Sequence, residues 1–199
     1  MGSLGIANDS LVVAYDDTGG LTAGRLAVML RMIGCDAAVL VGGLGAWTGA
    51  LETGPARPAN PVDFTATDWP SDRLASADEV AQIIAAGGTA IDARSHERFL
   101  GEVTQIDKRA GHIPGSRSAP WSEVLDSRGV PRSRSALRAH YKDLDVDDQH
   151  AVVAYCGSGV SACLNILAME HAGLAAPKLY VASWSGWSAD PNREAATGE

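Results

Sequence analysis

Ala151-Val-Val-Ala-Tyr155 runs directly into Cys156-Gly-Ser-Gly-Val-Ser-Ala162. The first five residues are apolar and rich in β-branched or aromatic side chains, the composition of a buried strand. The glycines at 157 and 159 let the backbone curl, so that successive N–H groups turn into one concavity. Residues 162–172 read as a helix, whose N-terminus adds partial positive charge at the same place. A sulfur at the mouth of such a nest is favoured as the thiolate, and the nest can hold an anion beside it. That is the setting of a nucleophilic cysteine. The alternative is an inert buried thiol, a common role for the residue.

The same alternation extends on both sides. Thr89-Ala-Ile-Asp92 reads as a strand. The helix before it opens on the capping-box pattern Ser76-Ala-Asp-Glu79 and stops at Gly87-Gly88. Residues 133–141 read as a helix, and 178–181 as a last strand. Nearer the start, 11–15 and 37–41 read as strands flanking a helix over 21–33, a βαβ unit. Strands alternating with helices imply an α/β fold, a central parallel sheet flanked by helices. Cys156 then lies at a strand's carboxyl end, where such sheets place ligands. Pro55, Pro58, Pro61 and Pro70 mark a linker. The expected boundaries are a partial domain over 1–52, a linker over 53–72, a complete domain over 73–190 and a tail over 191–199. The halves echo each other: Val12-Val-Ala-Tyr15 matches Val152-Val-Ala-Tyr155, and Trp47 matches Trp187, both at an offset of 140. An internal duplication is the simplest account.

Composition narrows the function. A formal charge of −8 over 199 residues argues against general nucleic-acid binding. It leaves room for small anions in a locally positive pocket. Three cysteines without paired spacing suggest neither a disulfide framework nor a zinc site, and they suit a reducing compartment. Neither a leader-like start nor a membrane-length apolar run is present, so a cytoplasmic protein with no membrane partner is expected. No metal or organic cofactor is implied.

Asp92-Ala-Arg94, Arg98-Phe99, Gly111-His-Ile-Pro-Gly115, the Cys156 loop and Ser183-Trp-Ser-Gly-Trp187 occur in this order. In that order they resemble the rhodanese family and, within it, the 3-mercaptopyruvate sulfurtransferases. The resemblance covers about residues 73–190. It implies that Cys156 takes up a sulfur atom as a persulfide and passes it to cyanide or to a thiol, such as thioredoxin or a small thiol. It implies that the backbone of Gly157, Ser158, Gly159, Val160 and Ser161 stabilises the anionic sulfur. Arg98 would bind the carboxylate or carbonyl oxygen of a small anionic sulfur donor, a task suited to a guanidinium fork. Thiosulfate-preferring relatives carry basic side chains just after the cysteine, where this chain has Gly157 and Ser158. Residues 11–50 resemble the second half of the inactive first domain of tandem family members, with Asp16 standing where the active domain has Cys156.

Two departures accompany the match. A further arginine of the relatives, between Arg98 and the Gly-His-Ile-Pro segment, has no clear counterpart, Lys108 and Arg109 being the candidates. The partners that Ser158 would need from a first domain lie in the half that is missing. Around the site, Asp92 and Arg94 read as a structural ion pair and His112 as a turn residue. Trp184 and Trp187 read as pocket walls or core, Cys163 as a buried thiol and Cys35 as a surface or half-buried one. His140, His150 and His171 read as solvated. A cysteine phosphatase is set aside because the arginine it needs six residues after the nucleophile is Ala162 here. A thiosulfate sulfurtransferase and a non-catalytic or protein-fed sulfur-relay module remain as alternatives.

Overall fold

The computed structural model describes residues 1–55, 58–103, 105–147 and 149–199, so that positions 56 and 57 of the expected linker lie outside the described residues. The chain divides into two compact units, Met1–Pro70 and Ser71–Glu199.

In the first unit, β1 (Val12–Ala14) and β2 (Ala37–Val39) pair in parallel around α1 (Leu21–Met32). Ala27, Leu30, Cys35 and Ala37 form its small core, with Phe64 packed against them. Cys35 is thus a core thiol and not the surface or half-buried one expected, because the turn after α1 carries it inward. The proline-rich stretch folds back on this unit. Val62 N–H donates to the Gly2 carbonyl, and Asn8 and Thr65 exchange hydrogen bonds.

The second unit contains α2 (Ala77–Ala85), β3 (Thr89–Asp92), α3 (His96–Leu100), β4 (Arg117–Ser118), α4 (Arg134–Asp143), β5 (Val152–Tyr155), α5 (Ala162–Ala172), β6 (Lys178–Leu179) and α6 (Ser183–Ala189). The strands form one parallel sheet in the order β4-β3-β5-β6. This is the α/β, helix-flanked parallel architecture expected from the sequence. Each side-chain set falls on one face, because successive strand residues point oppositely. Ala90, Val153 and Tyr155 join Val80 of α2 with Trp184 and Trp187 of α6 in one cluster. The two tryptophans are therefore core. α4 packs on α5, where the Tyr141 hydroxyl donates to Asn165 Oδ1 (2.7 Å) and Asn165 Nδ2 to the Ala119 carbonyl (2.9 Å). α5 is buried almost all round, as a helix apolar on every side must be. The capping box at Ser76 and Glu79 is present.

Two details bear on the site. The chain leaves β3 toward β4 and leaves β5 toward β6, in opposite directions, so a crevice opens at the carboxyl ends of β3 and β5. Residues 191–199 belong to the second unit and are tied to its earlier segments: His112 and Ala196 exchange backbone hydrogen bonds, Gly198 N–H donates to the Leu100 carbonyl, and Trp187 Nε1 donates to the Glu194 carbonyl. His112 is buried between them, stacked on Phe99 with its Nδ1 2.8 Å from the Phe99 carbonyl. His140 is also largely buried, with 12% of its side chain exposed, unlike the solvated position expected, because it lies edge-on to Tyr141.

Gly111 has φ 95°, and a Cβ there would collide with the Ala196 carbonyl oxygen. Gly111→Ala is expected to destabilise the protein by about 2 kcal/mol or more, through left-handed strain and loss of the C-terminal contact. Thermal unfolding and proteolysis at the C-terminus would read this. Burial holds the His112 and His140 rings below the ordinary 6.5, outweighing the Phe99 carbonyl and Asp92 at one ring and Glu123 at the other. The fold therefore favours the neutral rings. Their contribution is complete above pH 6.5 and is lost as pH falls below it, when the unfolded chain takes up protons first. Urea midpoints are expected to be flat from pH 8 to 7 and to fall between pH 6.5 and 5.5.

Candidate active site

Cys156 follows β5 at the crevice and is buried. Three hydrogen bonds from the start of α6 pin its loop. Cys156 N–H donates to Ser183 Oγ (3.1 Å), Trp184 N–H to the Cys156 carbonyl (2.9 Å) and Ser185 N–H to the Gly157 carbonyl (3.0 Å). From below, the buried Cys163 thiol donates to the Gly159 carbonyl (3.4 Å). With these groups engaged, the N–H groups of Gly157, Gly159, Val160 and Ser161 donate to no other group among the described residues. Gly159, at φ 75°, supplies the left-handed turn that gathers them. Unengaged amide donors at a helix N-terminus are the chemistry that suits an anion.

The first unit shows what such a loop does with an anion. The Asp16 carboxylate accepts N–H bonds from Thr18 (3.0 Å), Gly20 (2.7 Å), Thr22 (2.9 Å) and Ala23 (2.9 Å), and one from the Thr22 hydroxyl (2.9 Å). Burial opposes the charge, but the donors from Ala23, Gly20 and Thr18 overcome it and hold the carboxyl well below the usual carboxylate range. The two loops correspond in detail. Gly19 and Gly159 have φ 74° and 75°, and Gly43 and Ser183 have φ 56° and 53°. Val13↔Ala38 in β1–β2 and Val153↔Lys178 in β5–β6 share one register, again at an offset of 140.

Arg98, on α3, lies against the loop: a Cβ built on Gly157 would be 3.1 Å from Arg98 Nη2. Its fork is held by Asp107, with Nε–Oδ2 at 2.9 Å and Nη2–Oδ1 at 2.6 Å. Asp107 also accepts from Arg94 Nη1 (3.3 Å). Arg94 is fully buried, paired with Asp92 (Nε–Oδ2, 2.9 Å), donating to the Gly111 carbonyl (2.8 Å) and lying 4.9 Å from the Trp184 ring. Asp92 and Arg94 thus form the structural pair that the sequence suggested. Burial opposes ionisation of Asp107, but Arg98 and then Arg94 outweigh it and lower its carboxyl. Arg109, one of the two candidates for the further arginine, is directed to the C-terminal segment. Its Nη1 is committed to the Arg193 carbonyl (2.6 Å).

Cys156, the loop over 157–161 and Arg98 are therefore brought together. Ser183 and Asp107 were not foreseen. Ser183 carries a left-handed φ with a side chain, and its hydroxyl both accepts from Cys156 and donates to Tyr180. The 140-residue echo offered a signal, since Gly43 occupies the matching position. Asp107 lay in a stretch read only for arginines. Among the described residues no group of three His, Cys, Asp or Glu side chains is placed to hold a metal, and no helix is long and apolar enough to cross a membrane.

A model of the rhodanese-like domain matches residues 76–190, more than half of the chain. A Pseudomonas aeruginosa protein named "Probable 3-mercaptopyruvate sulfurtransferase" is 40% identical over 98% of this chain and 70% of its own length. The chain belongs to the rhodanese family. Within this family of sulfurtransferases it is 33% identical to the mouse 3-mercaptopyruvate sulfurtransferase, over 94% of the chain and 65% of that protein. It is 34% identical to the rat thiosulfate sulfurtransferase, over 94% and 66%. A solved structure of an EanB variant with ergothioneine shares the rhodanese fold, at a TM-score of 0.88 and 22% identity over all of this chain and 53% of that one.

Ser183→Ala removes the acceptor of the Cys156 N–H while keeping the strained φ. A loss of about 1–3 kcal/mol is expected, with faster alkylation of Cys156 in the loosened loop. Denaturant unfolding and iodoacetamide kinetics would read the two effects.

Proposed function

We propose that this rhodanese-family sulfurtransferase moves a sulfur atom from 3-mercaptopyruvate, or a similar thiol donor, through a persulfide on Cys156. The uncommitted amide donors around Cys156 carry this reading, supported by a counterpart loop that holds the Asp16 carboxylate. In the first step the Cys156 thiolate attacks the donor's sulfur. The S–S bond forms, the C–S bond breaks, and its electron pair goes to carbon as the pyruvate enolate, which takes a proton. In the second step an acceptor thiolate or cyanide attacks the outer sulfur and Cys156 leaves as thiolate. The donors of residues 157–161 would hold the negative sulfur in both steps, a preorganised stabilisation. Arg98 would orient the donor carboxylate through a charge-assisted fork.

The relatives named for the two donors are about equally similar, so loop chemistry bears on the choice. Gly157 and Ser158 supply no basic side chain for a doubly charged donor, which favours 3-mercaptopyruvate. We infer also that residues 1–52 are a partial, inactive copy of the catalytic domain, from the shared register and paired backbone angles.

Intact mass spectrometry after incubation with each donor tests the reading. A gain of about 32 Da, one sulfur on the nucleophile, is expected with 3-mercaptopyruvate and absent in Cys156→Ser. Arg98→Ala is expected to raise KM for 3-mercaptopyruvate about tenfold or more, the worth of a charged hydrogen bond. A gain from thiosulfate alone would select that donor. No gain from either, in folded protein, would leave the relay or non-catalytic module.

A further inference from the structure

We propose that Asp107 selects the donor by charge: its carboxylate cancels the Arg98 guanidinium beside Gly157, so the site accepts a donor with one negative charge ahead of one with two. The proposal rests on the sulfur-transfer reading and deepens it. Asp107 grips Arg98 with both oxygens and also reaches Arg94. Arg94 is matched by Asp92, so two cations meet two anions and the cluster sums to zero. Residues 157–161 carry no charge. What remains to attract a donor is the amide nest and the helix end, worth about half a charge. Asp107 has only 4% of its side chain exposed, against 20% for Arg98, so solvent screens it weakly and its charge is felt in the crevice. The neighbouring charges act less. Lys108, Glu97 and Glu102 are exposed, and Arg109 is turned to Arg193. A fork already held by a carboxylate can still align a single donor carboxylate, but offers no net charge to offset a second.

Asp107→Asn keeps the shape and removes the charge. Such a change acts on a dianion twice as strongly as on a monoanion. For charges about 8 Å apart and an effective dielectric between about 80 and 20, the ratio of kcat/KM for thiosulfate over 3-mercaptopyruvate should rise about twofold to thirtyfold. A second readout needs no sulfur transfer: the rate at which iodoacetate alkylates Cys156, divided by that of neutral iodoacetamide, followed by peptide mapping. Asp107→Asn should raise this ratio by a similar factor, and Asp107→Glu should keep both ratios near wild type. Arg98→Gln, which leaves Asp107 unbalanced, should lower the alkylation ratio, and the Arg98→Gln/Asp107→Asn pair should return it. Equal losses for both donors, or an alkylation ratio that does not move, would overturn the proposal and leave Asp107 a structural residue. If wild type forms no persulfide from either donor, the sulfur-transfer reading fails and the alkylation ratio alone judges Asp107.

Discussion

A guanidinium shut away from water has to find its partners inside the protein, and Arg94 finds them on four different segments. Asp92 ends β3, Gly111 opens the Gly-His-Ile-Pro-Gly turn, Asp107 lies in the loop before it, and Trp184 comes from α6. Stranding a buried charge by removing one partner costs on the order of 3–5 kcal/mol. The four segments are therefore held to one arrangement. That arrangement carries Asp107 to Arg98 and Arg98 to the Cys156 loop. Trp184 is at once the ring beside Arg94 and the residue whose N–H takes the Cys156 carbonyl. The ion cluster and the Cys156 loop are thus one piece of packing.

The Cys156 loop sets amide donors at a helix N-terminus without a charged side chain of its own. The start of α6 engages its Cys156 and Gly157 carbonyls and Cys163 its Gly159 carbonyl, while the N–H groups of Gly157, Gly159, Val160 and Ser161 donate to no group among the described residues. Around Asp16 the same curl is closed by a built-in carboxylate, permanently filled. Around Cys156 no carboxylate closes the curl, and the side chain at the end of the strand is a thiol. One backbone shape thus accommodates a carboxylate in one unit and a thiol in the other, at the end of the strand.

Much of this was legible in the chain. The strand–loop–helix about Cys156, the flanking strands and the capping box depend on neighbours in sequence, and the structure has them within a residue or two. The last strand is shorter than read, Lys178–Leu179, because the chain turns toward the left-handed Ser183 soon after. Cys35 and His140 were misplaced because each is covered by packing that local polarity does not reveal. Asp107, the partner of the Arg98 fork, was not legible, since it sits in an irregular loop without periodicity.

The α/β class and the strand, glycine-bearing loop and helix that put Cys156 at a strand's carboxyl end were legible in the residues themselves, because these follow from propensities and backbone freedom over a dozen residues. Tertiary structure alone decided the rest. Ser183 meets Cys156 across 27 residues, Arg94 meets Gly111 across 17, and the crevice exists only because β3 and β5 lie side by side while their onward connections diverge. Those contacts depend on burying charged and polar groups against whatever distant segment can satisfy them. That requirement acts on the folded whole, and no stretch of the chain displays it alone.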